Sequence, residues 1–91
     1  MPDSPGTDFS GLDGGDEQQA VDLVRDVVTW YSTRIIAERR APVPDEDRIE
    51  ELKAGRQAAL EDQQRLEAAG AQETGRIAAL YAARLKELRR S

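Results

Sequence analysis

Arg39-Arg40-Ala41-Pro42-Val43-Pro44-Asp45-Glu46-Asp47 is the stretch that decides the fold. Two arginines suit the negative C-terminal end of a helix. Pro42 cannot continue that helix and already biases Ala41 out of it. Pro44 suits the first position of a new helix, and the three acids after it suit that helix's positive end. One helix therefore stops and another starts within a few residues, and a connection this short makes the two antiparallel neighbours. The acidic cluster Asp45-Glu46-Asp47 is accounted for as a dipole complement rather than as a metal site.

Upstream, Ala20, Val21, Val24, Val27, Val28, Tyr31 and Ile35 recur with helical periodicity on one face. Asp16 is the expected N-cap, with Gln19 as its capping-box partner, which predicts a first helix over about 16–40. Ahead of it, residues 1–15 are rich in Gly, Pro and Asp, and the reading is a disordered acidic tail. Downstream, Ile49, Leu52, Arg56, Ala59, Leu60, Gln63 and Leu66 form the expected inner stripe of a helix over about 45–69. Gly70 is its expected left-handed C′ residue. A third helix over about 72–89 follows, with Ile77, Leu80, Tyr81, Leu85 and Leu88 on one face; with no proline at the break, one long bent helix is the alternative to two. The expected fold class is all-α: an antiparallel helical hairpin extended to a three-helix bundle, as a single domain over 16–91. Gly55-Arg56-Gln57-Ala58-Ala59-Leu60 and Gly75-Arg76-Ile77-Ala78-Ala79-Leu80 look like a repeat, and are read as shared composition.

The chain has 91 residues, no cysteine and no histidine. A core of that size commonly needs a disulfide, a metal or oligomerisation. Disulfides are excluded, and a transition-metal site would have carboxylates alone. Oligomerisation remains. No run approaches a membrane span and the start has no signal-peptide layout, so a cytoplasmic protein is expected. The abundance of Ala and the excess of Arg over Lys point to a high-GC bacterium.

The net charge of -5 weighs against nucleic acid, although the two ends differ. Acids dominate the first 16 residues, while Arg76, Arg84, Lys86, Arg89 and Arg90 make the last helix basic. Those five bases are the candidate contacts for the alternative reading, a small nucleic-acid-binding regulator. Ser32 and Thr33 have no histidine to activate them, and Gly14-Gly15 lacks the strand and Lys of a phosphate loop. The expectation is a non-enzyme with no catalytic, cofactor or metal residue and no small-molecule substrate.

Two features point instead to protein partners. Leu23, Trp30 and Ile36 flank the apolar arc of helix one, so a helix with one neighbour would expose them, whereas a second neighbour or a dimer seam would cover them. Leu23, Val27, Trp30, Tyr31, Arg34 and Ile36 are therefore the expected interface of a coiled-coil-like homodimer, or of a complex with another protein. Arg56 and Gln63, one heptad apart in the stripe of helix two, either fix register or reach solvent beside a narrow stripe. Arg56 is expected opposite residues 28–32, seeking an acceptor such as Ser32, Thr29 or Asp26.

Overall fold

The computed structural model describes residues 3–90, with side chains described for 17–90. It consists of α1 (Asp3–Arg39), α2 (Glu46–Leu66) and α3 (Ala71–Arg90), with no strand among the described residues. Within those residues no helix is long and apolar enough to cross a membrane.

The α1 backbone starts at Asp3 rather than near Asp16. Gly6, Gly11, Gly14 and Gly15 each cost a helix ~1 kcal/mol, which is why the sequence pointed to a later start. An already nucleated helix extends at one bond per added residue, and Pro5 sits in the first turn, where its missing N–H matters little. The side chains of the expected tail over 1–15 lie outside those described.

The α1–α2 turn follows the sequence. Asp45 is the N-cap, with extended backbone (φ -92°, ψ 101°), and its Oδ1 accepts the Arg48 N–H at 3.1 Å. Its own carbonyl accepts the Ile49 N–H at 3.0 Å, the first bond of α2. The far end of α2 differs from expectation. The helix stops at Leu66, and the N–H groups of Glu67, Ala68 and Ala69 bond three residues back, to Gln64, Arg65 and Leu66. This tightened turn satisfies the last carbonyls without a left-handed residue. No described glycine has a positive φ, and Gly70 instead opens α3, its carbonyl accepting the Thr74 N–H at 2.9 Å.

Packing is organised around α1, which lies along both α2 and α3 while those two share few contacts. In the larger cluster α1 contributes Ala20, Val24 and Val27, α2 contributes Ala59 and Leu66, and α3 contributes Ile77, Tyr81 and Leu85. A smaller cluster of Ile35, Ile49 and Leu52 draws on α1 and α2 alone, with Trp30 and Tyr31 packed against it. Each fully buried aliphatic side chain contributes ~1.5–3 kcal/mol. The bundle thus has three helices at one end and two at the other. Leu80, expected inside, is 50 % exposed, because the inner face of α3 runs through Thr74, Ile77, Tyr81 and Leu85. At ~100° per residue Leu80 is turned off that line.

The Tyr31 ring of α1 lies over Gly55 of α2. A Cβ on Gly55 would lie 2.5 Å from Cζ at the tip of the Tyr31 ring, so any side chain there would force the ring to shift. Tyr31 against Gly55 agrees with the pairing of residues 28–32 with residue 56.

Candidate functional site

The expected interface residues of α1 are mostly spent inside the molecule. Val27 is fully buried in the larger cluster and offers no surface, which removes it from the interface. Leu23 packs against the same cluster, and Tyr31 against both. With two helices on α1, its wide apolar arc finds partners within the chain. Ile36 is the exception at 51 % exposed. It lies on the side of α1 away from α2 and α3, with Thr29, Thr33 and Ala37, all exposed.

Trp30 stands between these situations. It is half-buried, edge-on to Tyr31 with ring centroids 5.3 Å apart at 87°, and Cζ of Arg34 sits 4.9 Å from its ring centroid. That stacking adds cation–π attraction. Trp30 and Tyr31 floor a cleft of about 660 Å³ where α2 and α3 part. Arg48, Glu51 and Leu52 line it from α2, and Glu87, Leu88 and Arg90 from α3. Each wall carries one acid and one base, and Arg48 already reaches Glu51 at 3.5 Å. Leu52 and Leu88 make the interior apolar between charged rims.

The five bases of α3 do not converge. Arg76 pairs with Glu73 at 3.0 Å, and Arg84 stacks 5.2 Å over the Tyr81 ring. Lys86, Arg89 and Arg90 are exposed, but at ~100° per residue the set covers more than half the helix circumference. A phosphate-binding stripe needs its charges on one face.

Arg56 and Gln63 are half-buried, and neither has a side-chain hydrogen bond or ion pair among the described residues. No buried side-chain nitrogen or oxygen among those residues lacks a partner. The Arg56 head therefore reaches solvent past the edge of the stripe, with its stem packed below. It needs no acceptor, so the register-fixing role assigned to it is dropped. Gly55, next to it, receives the Tyr31 ring instead.

The polar contact that the sequence reading missed is Asp62 with Tyr81. The Tyr81 hydroxyl donates to Oδ2 of Asp62 at 2.5 Å, and Nη1 of Arg65 donates to Oδ1 at 2.9 Å. An O–H to carboxylate bond of that length is charge-assisted. Burial first, then the Asp62 hydrogen bond and its negative charge, hold the Tyr81 hydroxyl well above the ordinary phenol range, with Arg84 opposing. It is thus a fixed donor that ties α3 to α2. A weak signal was present, since Asp62 lies between Ala59 and Leu66 at the spacing of a stripe edge. Among the described residues no group of three or more Asp, Glu, His or Cys is placed to hold a metal.

No protein-family model matches this chain, and no curated protein or solved structure is similar to it.

Proposed function

We propose that this protein is a non-enzymatic helical interaction module that associates with a second copy of itself through α1. The observation that carries the reading is the uncovered side of α1. Two helices pack on one half of it, and the other half presents Ile36, 51 % exposed, beside the exposed Thr29, Thr33 and Ala37. A core split into a three-helix end and a two-helix end gives further support, because so small a bundle benefits from added burial. A chain without cysteine does not depend on an oxidising compartment, which suits the cytoplasm.

Sedimentation equilibrium between ~1 and ~100 µM tests this, a range in which a dimer held by −6 to −8 kcal/mol would be seen. A concentration-dependent dimer that Ile36→Glu weakens is the expected result. A monomer throughout that range overturns the proposal. Ile36→Glu is exposed and has little effect on folding, so the two properties separate.

A further inference from the structure

The open side of α1 has an order of its own. Among its exposed positions, Asp22, Asp26, Thr29, Thr33 and Ile36 recur in alternating steps of four and three residues, and Arg40, in the turn just past the helix, falls at the next step of four. That is the spacing of a coiled-coil seam. Charged residues make up 34 % of the chain, yet the exposed positions from Thr29 to Ala37 carry none. Acids lie at one end of this seam and an arginine at the other.

Resting on the self-association reading above, we infer that this face pairs with the same face of a second copy in antiparallel orientation, about a two-fold axis at the level of Tyr31. Under that symmetry Thr29 faces the partner's Thr33, Asp26 faces the partner's Ile36, and Asp22 faces the partner's Arg40. The partner's Arg40 then falls within reach of Asp26 as well. Within the chain, among the described residues, neither Asp26 nor Arg40 has an ion-pair partner. Asp22 has only exposed neighbours, Gln18 at 2.9 Å and Arg25 at 3.8 Å, and such pairs contribute little. These charges are therefore available to a partner at small cost.

Charge also selects the direction. A parallel pair would set Asp22 and Asp26 beside their own copies and Arg40 beside Arg40, and like charges at an interface are disfavoured. The antiparallel pair opposes acid to base at both ends and leaves the uncharged stretch at the centre. An interface that maps onto itself in this way closes as a dimer. Arg25 and the partner's Arg39 approach each other along one flank, so the net attraction is modest and the dimer is weak and salt-sensitive.

Charge exchange in the full chain tests the register. At low salt the protein should sediment towards twice 10.1 kDa. Raising salt to ~1 M, where the screening length is ~3 Å, should weaken the dimer about tenfold or more. Asp22→Arg and Arg40→Asp should each weaken it about tenfold, and the double exchange should restore most of the loss. A second readout uses the absence of native cysteine. Mixed Thr29→Cys and Thr33→Cys proteins should form the mixed disulfide faster than either forms its own, because only that pair is level across the axis. If the chain dimerises but neither exchange nor cysteine pairing follows this pattern, self-association stands and the register is wrong. If the chain stays at 10.1 kDa at every salt concentration, both readings fall.

Discussion

Gly55-Arg56-Gln57-Ala58-Ala59-Leu60 in α2 and Gly75-Arg76-Ile77-Ala78-Ala79-Leu80 in α3 differ at a single residue, yet they bury different members. In α2, Ala59 is fully buried, Gly55 lies beneath the Tyr31 ring, and Gln57 and Ala58 face water. In α3, Ile77 is buried and Ala78 half-buried, while Gly75, Ala79 and Leu80 are exposed. The one differing residue takes part, since Ile77 is buried where Gln57 faces water, and something outside the six residues also sets the rotation of each helix. In α2 it is Leu52 and Leu66, one heptad either side of Ala59; in α3 it is Tyr81 and Leu85. Near-identical segments therefore acquire opposite faces from one differing residue together with their flanking anchors.

The largest contrast should come from Ala59 and Ala79, which hold the same place in the two segments. Ala59→Asp puts an unpaired carboxylate into the core, at a cost of several kcal/mol. Against a total stability of ~5–15 kcal/mol, that variant should lose most of its helical circular dichroism at 25 °C or melt far earlier. Ala79→Asp should stay within ~0.5 kcal/mol of the parent in urea titration.

The two glycines should change sign. Alanine at position 55 meets the Tyr31 ring at 2.5 Å, and overpacking of that kind costs ~1–3 kcal/mol. Position 75 has nothing within 4 Å, so Gly75→Ala should gain up to ~1 kcal/mol from helix propensity. Thermal melts of the two variants should move in opposite directions. The double variant Gly55→Ala/Tyr31→Ala should lose less than its two changes summed, because removing the ring removes the clash.

Tyr81→Phe deletes the bond to Asp62 and should cost ~1 kcal/mol near neutral pH. Its pH dependence is more specific. The Tyr81 pKa is raised on folding, so its contribution is complete below the unfolded-state value of ~10 and is lost as pH climbs above it. Wild-type stability should therefore fall more steeply than that of Tyr81→Phe above pH ~10, by up to ~1.4 kcal/mol per pH unit. Equal slopes in alkaline urea titrations would contradict the burial of this hydroxyl. The smallest effect belongs to Arg56→Gln. Its head group is solvated and unpaired, so stability should shift by no more than ~0.5 kcal/mol.

Much of the fold was legible because proline, caps and periodicity act locally. The Pro42–Pro44 break, the Asp45 cap and the stripes of α1 and α2 required no knowledge of tertiary contacts. What escaped was decided by contacts between helices. Val27 was assigned to an interface because one helix's arc does not reveal how many neighbours it has, and α1 has two. Leu80 counts as apolar in any periodicity argument, but Tyr81 and Leu85 turn it outward. Nothing local marks Asp62 as a partner for Tyr81, which lies in another helix, 19 residues further along the chain. Gly70 was expected as a left-handed cap, yet the tightened turn after Leu66 had already satisfied the carbonyls that such a cap would serve.

Contacts between helices decide which face each segment turns to α1, and Tyr31 seats on Gly55. Proton NMR of the full chain addresses this directly through nuclear Overhauser contacts of the Tyr31 ring. Strong contacts from its ring protons to the α-protons of Gly55, with none to Gly75, are the expected result. Contacts from Tyr31 to Gly75, or a ring with no contact to α2, would contradict the register and with it the explanation of why the two segments differ.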